Sequence, residues 1–143
     1  MIKMEVLYRQ ATINDYDQMY NLWKNIEGMG LSDSDTKENI EKFLNKNQGL
    51  NYICEKEGKI IGTILCGEDG RRGYLYHLAV DKDYRRKGIG TKLVNLVFDN
   101  LKKKGIIKCH LFVYYENELG KTFWEKTGWH KRNELLIYSK DIE

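Results

Sequence analysis

The run Val80-Asp81-Lys82-Asp83-Tyr84-Arg85-Arg86-Lys87-Gly88-Ile89-Gly90 constrains this chain more than any other stretch. It follows an apolar strand pattern, Leu75 to Val80, and opens a helical one, Thr91 to Lys104. A strand, a turn rich in Gly and Arg and a helix start form a cradle for phosphate. The free N–H groups of the turn point outward, and the helix N-terminus adds a partial positive charge. Gly88 and Gly90 carry no Cβ, so the backbone can approach an anion closely. The spacing is not the Gly-x-Gly-x-x-Gly of a dinucleotide fold, and no Gly-Lys-Ser or Gly-Lys-Thr for a nucleoside triphosphate is present. A diphosphate-bearing ligand is the expectation, with Arg85, Arg86 and Lys87 adding positive charge.

The rest of the chain reads as one α/β domain over residues 1–143. Glu5 to Ala11 predicts a strand, and Thr12 or Asn14 is placed to cap a helix carrying Ile13, Tyr16, Met19, Tyr20 and Trp23. Glu27 to Asp35 reads as a loop, followed by a helix from about Thr36 to Asn45. Asn51 to Lys56 and Ile60 to Gly67 predict a hairpin turning at Glu57-Gly58-Lys59. Glu68 to Gly73 is a polar turn before the strand that ends at Val80. Gly105 stops the next helix, Lys108 to Tyr114 predicts a strand, Asn117 opens a helix to Lys126, and Glu134 to Ser139 predicts a closing strand. The order is β-α-α-β-β-β-α-β-α-β, a mixed central sheet flanked by helices.

Composition narrows the function classes. A net charge of +3 is small, and no groove-reading motif is present, so no nucleic-acid partner is expected. No apolar run is long enough to span a bilayer and no secretory leader is legible, so no membrane partner is expected and the cytoplasm is the expected compartment. Cys54, Cys66 and Cys109 are odd in number and lie in apolar runs, as buried free thiols do. His77, His110 and His130 have no metal-ligand spacing, so no metal is expected.

The chain resembles the GCN5-related N-acetyltransferase superfamily. The family signature, Arg or Gln, two residues, Gly, one residue, then Gly or Ala, stands complete as Arg85-Arg86-Lys87-Gly88-Ile89-Gly90. A second family feature, an Asn followed by a short helix with a Phe-Tyr pair and a terminal Gly-Phe, reads here from Asn117 to Trp129 as Phe123-Trp124 and Gly128-Trp129. The element order matches over nearly the whole chain. The turn Glu68-Asp69-Gly70-Arg71-Arg72-Gly73 and the opening Arg9-Gln10-Ala11 are similar to the bacterial YpeA-like acetyltransferases.

The resemblance implies acetyl transfer from acetyl coenzyme A to a small-molecule or peptide amine by direct attack. It also implies that backbone groups of Leu78, Ala79 and Val80, on a strand that splays from its neighbour, bond the pantetheine arm. Arg85, Arg86, Lys87, Gly88, Ile89 and Gly90 would hold the diphosphate. Asn117 is a helix cap on its own chemistry, and the family's matching Asn contacts the cofactor arm.

Trp124 stands where many members have a Tyr that protonates the departing thiolate, and Phe112 stands where some carry a Glu. An indole N–H is no useful acid, so Trp124 is left with packing against the cofactor, and Tyr114 or Tyr115 with the acid role, unless the thiolate leaves unprotonated. His77 beside Leu78 is the candidate base, or a structural histidine. Glu68, Asp69 and Glu116 are placed to orient an amine or relay its proton through water, with Glu68 the candidate catalytic carboxylate, or to be solvated turn residues, and Glu27, Asp33 and Asp35 to attract a cationic amine. A coenzyme A-binding sensor or partner-binding module without turnover is the alternative. A homodimer is admitted, and the oligomeric state stays open.

Overall fold

The computed structural model describes residues 5–142, which divide into two compact units, one ending at Phe112 and one running from Val113. In the larger unit five strands form one sheet in the order β1 (Leu7–Gln10), β2 (Tyr52–Lys56), β3 (Lys59–Glu68), β4 (Gly73–Val80) and β5 (Cys109–Leu111). The first four are antiparallel to their neighbours and β5 runs parallel to β4, so the sheet is mixed as expected. Helices α1 (Tyr16–Lys24), α2 (Lys37–Lys46) and α3 (Ile89–Lys103) complete this unit.

Strand β3 is buried along its length from Ile60 to Gly67, as befits a strand covered on both faces. On one face Met19, Leu22 and Trp23 of α1 and Ile40 and Leu44 of α2 pack with Ile53, Leu65 and Ala79. On the other face α3 lies against Gly62, where a Cβ would stand only 3.0 Å from Ile89 Cγ2 and 3.3 Å from Leu93 Cδ1. The missing side chain lets the first turn of α3 approach the sheet and fixes where the preceding loop emerges.

Local chemistry sets the element ends. Asp15 Oδ2 accepts from the Thr12 amide at 2.8 Å, so Thr12 rather than Asn14 begins the first helical turn. Thr36 Oγ1 accepts from the Asn39 amide at 3.2 Å and starts α2. Gly105, at φ 79°, ends α3 behind Lys102 and Lys103.

The smaller unit contains α4 (Glu118–Lys126). Order and type of the elements follow the expectation through α4. Two expected strands differ. The segment Lys108 to Tyr114 pairs only at Cys109–Leu111, because its ladder to β4 stops at Leu75. Glu134 to Ser139 has strand-like composition but forms no ladder among the described residues, and a strand without a neighbour has nothing to satisfy its backbone. No described helix is long and apolar enough to cross a membrane.

Candidate acetyl-transfer site

The loop from β4 to α3 is built around two left-handed residues. A short 3-10 turn at Lys82–Tyr84 is capped by Asp81, whose Oδ1 accepts from the Asp83 amide at 2.9 Å. Arg86 then has φ 62° and Gly88 φ 81°, with Lys87 between them. Such an alternation folds successive N–H groups into a concavity suited to an anion. A Cβ on Gly88 would meet nothing within 4 Å, so glycine is required there by backbone conformation rather than by protein contacts.

The first bond of α3 runs from the Lys92 amide to Gly88 O at 3.0 Å. Among the described residues, no protein oxygen accepts from the amides of Arg86, Lys87, Gly88, Ile89 or Gly90. These five donors are unspent at the positive end of a 15-residue helix. The Arg85 side chain does not join them. Its Nε donates back to Val80 O at 3.2 Å and braces the turn against the end of β4.

Above the turn, β4 carries a bulge. Thr63 pairs with Ala79 and Leu65 with Tyr76, so the single residue Ile64 faces both His77 and Leu78. His77 takes φ 49° to make the bend. The Asp81 amide donates to Ile61 O at 2.8 Å, which places the main-chain groups of Asp81 and Ala79 toward β3 and those of Val80 and Leu78 toward the opposite edge. On that edge the β5 ladder has already ended at Leu75. Among the described residues this edge has no ladder partner beyond Leu75, with Val80 O held by Arg85 Nε, and it leads down to the unspent amides. The Ala79 side chain is buried in the core, so only its backbone is free for other roles.

The bulge is locked from the α1 side. Thr63 Oγ1 donates to His77 O at 2.9 Å and accepts from Trp23 Nε1 at 2.9 Å. The His77 ring lies 4.6 Å from the Trp23 ring, and His77 Nε2 is 2.6 Å from Asp35 Oδ1. Asp35 is itself held, since its Oδ2 accepts from the Ser32 amide at 3.0 Å and its carbonyl from Tyr16 Oη at 2.6 Å. An open groove of about 560 Å³ runs past these residues, lined among others by Ser32, Ile40, Phe43, Leu65, Tyr76 and His77. Asp35 lines it too, but both of its carboxylate oxygens are already engaged, a different use from the direct attraction of an amine expected of it.

Glu68 stands apart from this cluster. It pairs with Gly73 at the far end of β4, and its Oε1 accepts from the Gly70 amide at 2.5 Å. At about 3.3 Å per residue, Gly73 is roughly 23 Å along the strand from Val80.

In the smaller unit Asn117 caps α4, with its Oδ1 accepting from the Gly120 amide at 2.9 Å. Gly120 leaves the room, since a Cβ there would lie 2.6 Å from Asn117 Nδ2. Trp124 packs edge-on against Phe123 at 4.9 Å and Trp129 at 5.1 Å. Tyr115 is exposed, with Lys121 Nζ 4.8 Å above its ring.

Sequence reasoning did not find Thr63, Trp23 and Gly62 as parts of the site, nor Asp35 as the partner of His77. A lone Thr inside the apolar run Ile60 to Leu65 is the one signal that pointed to a buried polar role. Among the described residues no group of three or more His, Cys, Asp or Glu side chains is arranged to hold a metal ion.

The model of the acetyltransferase (GNAT) family matches residues 16–129. The chain is 29% identical over 129 residues to acetyltransferase SG1711 of Sodalis glossinidius, covering 90% of each protein. Its fold is similar to that of the PaiA N-acetyltransferase of Thermoplasma acidophilum in complex with coenzyme A, with TM-score 0.77 and 22% identity over 87% of this chain and 89% of that one. It is also similar to a chain of the NatC complex bound to Gag peptide and coenzyme A, with TM-score 0.76 and 25% identity over 90% of this chain and 87% of that one. The chain belongs to the acetyltransferase (GNAT) family.

Proposed function

We propose that this protein moves an acetyl group from acetyl coenzyme A to an amine by direct attack, with no covalent enzyme intermediate. The observation that carries the reading is the set of five unspent amides, Arg86 to Gly90, at the head of α3. Hydrogen bonds to a charged acceptor contribute about 1.5 to 3 kcal/mol each, so two or three of them would dominate affinity for a diphosphate. Arg86 and Lys87 add charge from exposed side chains, and Arg85 contributes by bracing the turn.

The edge of β4 beyond Leu75 supports the next part of the reading. Main-chain groups of Leu78 and Val80 would bond the pantetheine arm as an added strand. That edge brings the reacting end beside the bulge, where His77 is the group suited to take a proton from the attacking amine. In the smaller unit Asn117 caps α4 through Oδ1 and keeps its side-chain N–H donors for a ligand. Trp124 contributes packing, and Tyr115 is the proton donor where one is used. Glu68, with one oxygen held by Gly70, is reserved for orienting an amine that extends along β4.

The acceptor is a small-molecule or peptide amine. The solved NatC complex, which binds a peptide and coenzyme A, favours a peptide amine as the first to be tried. The turn Glu68 to Gly73 and the opening Arg9 to Ala11 are the features that support reading the chain as a relative of the bacterial YpeA-like acetyltransferases.

Trp124 in place of Tyr and Phe112 in place of Glu favour one second reading, a coenzyme-binding module without turnover. Coenzyme A release across a broad amine panel, measured beside calorimetric binding of acetyl coenzyme A, separates the two. Acceptor-dependent release establishes the enzyme, and saturable binding without release for any amine establishes the module. Gly88→Val is the control for the turn. A β-branched residue at φ 81° is strained by about 1–2 kcal/mol, so the loop rearranges and coenzyme affinity is lost while the domain still folds. Wild-type affinity in that variant would contradict the assignment.

A further inference from the structure

The pair Asp35–His77 carries more than a structural contact. A short contact of 2.6 Å joins a carboxylate oxygen to one ring nitrogen of a histidine in the left-handed region. Few non-glycine residues adopt that conformation, and it persists only where the surroundings hold it. Here they do, through Thr63 on the His77 carbonyl, Trp23 on its ring face and Asp35 on Nε2. An ionised carboxylate only accepts hydrogen bonds, so it selects the ring form with hydrogen on Nε2. The other nitrogen, Nδ1, makes no hydrogen bond with the described residues. No fully buried side-chain nitrogen or oxygen among them lacks a partner, so Nδ1 reaches solvent on a residue that lines the groove.

We infer that Asp35 is a positioning residue. It holds His77 with Nε2 protonated and Nδ1 bearing the lone pair that takes the amine proton. The inference rests on the acyl-transfer reading above. In the step, the amine nitrogen bonds to the acyl carbon, the carbon–sulfur bond breaks with its electron pair leaving on sulfur, and one amine proton moves to Nδ1. His77 is then an imidazolium paired with the Asp35 carboxylate. Release of that proton, to the thiolate or to solvent, resets the ring. The charged or titratable groups that line the groove together with His77 are Asp35 from the turn before α2, Lys42 and Lys46 of α2, and Tyr76 on β4. From α1 and β3 the neighbours are Trp23 and Thr63, which are neutral. Asp35 is the only anion in that set, and both of its oxygens are already oriented by protein groups.

The test is long-range proton–nitrogen correlation of the ring nitrogens in the full-length ¹⁵N-labelled chain, with His77 assigned by comparison with His77→Gln. The expected result at pH 8 is a single tautomer with hydrogen on Nε2. A ring with hydrogen on Nδ1, or a mixture like that of a free imidazole, overturns the inference. This needs no substrate, so it stands apart from coenzyme binding and amine-dependent release, which test the acyl-transfer reading.

The second arm is Asp35→Asn. The amide keeps the shape and can accept from Ser32 but no longer supports an imidazolium. The expected result is a kcat lowered by about tenfold or more with KM for acetyl coenzyme A unchanged. A kcat equal to that of the unaltered protein overturns the role.

Discussion

The hydroxyl of Thr63 donates to the carbonyl oxygen of His77 across the β3–β4 ladder at 2.9 Å. Thr63 Oγ1 in turn accepts from the Trp23 indole N–H at 2.9 Å, so one fully buried hydroxyl satisfies both the His77 carbonyl and the indole. The irregularity in β4 is thus fastened to the core of α1 and not merely tolerated.

Thr63→Val keeps the shape and deletes both bonds. Leaving a buried donor and acceptor unsatisfied costs about 1–3 kcal/mol each, so a combined loss of roughly 2–4 kcal/mol is expected in urea unfolding. Thr63→Ser keeps the hydroxyl and should lose only the contribution of a methyl group, about 1 kcal/mol. Equal losses for the two variants would show that the bond carries nothing.

The three thiols should react in a definite order. Cys54 and Cys66 are fully buried, while Cys109 on β5 is partly open. The hydrogen bond between Cys66 and Cys109, followed by burial, pushes the Cys66 thiol up, and the same bond holds Cys109 below the usual thiol range. Burial also raises Cys54, against a bond from Tyr8. One thiol should therefore label in the folded protein with a disulfide reagent, and Cys109→Ser should remove that phase. Cys54 and Cys66 should label only on unfolding.

What the sequence made legible was local. Gly88 and Gly90 declare a turn whatever surrounds them, and Asn117 declares a cap three residues from the amide it receives. The bulge is assembled from residues far apart in the chain: Trp23 and Thr63 are 40 positions apart, and Asp35 and His77 are 42. Periodicity placed Trp23 on a buried helix face and left Asp35 in a loop, but nothing local says which strand position each one meets. The closing strand failed for the complementary reason. Leu135 to Tyr138 have the composition of a strand, while strand formation depends on a neighbour that composition does not name.

Acid should weaken the fold at the root of β1. Arg9 grips Asp15 with two bonds of 2.8 Å and reaches Glu55 at 3.3 Å. Burial alone would raise the Asp15 carboxyl, but Arg9 and the Thr12 amide outweigh it and hold the group below its ordinary value. A depressed carboxylate stabilises the fold above its unfolded pKa, about 4, and that contribution is lost as pH falls through the lower folded value. Arg9→Met should cost about 1–2 kcal/mol at neutral pH, a modest figure because a third of the Arg9 side chain stays in solvent. It should also flatten the loss of stability below pH 4, as followed by urea midpoints across pH. An unchanged slope would remove this pair as a source of acid sensitivity.

Gly62 ties packing to ligand affinity. A Cβ there would press on Ile89 Cγ2 at 3.0 Å and on Leu93 Cδ1 at 3.3 Å, closer than ordinary contact, so α3 must give by a few tenths of an ångström. Ile89 also supplies one of the five unspent amides, so a shift that the core absorbs for about 1 kcal/mol still spreads the anion cradle. Gly62→Ala should therefore weaken acetyl coenzyme A binding several-fold by calorimetry, with only a modest fall in thermal stability. Ile89→Ala added to it removes the clashing methyl and should recover affinity without recovering stability. That opposite response of affinity and stability is what a strained turn predicts and a loosened core does not. If both quantities fell together in the double variant, helix placement by Gly62 would not be what sets the geometry of the turn.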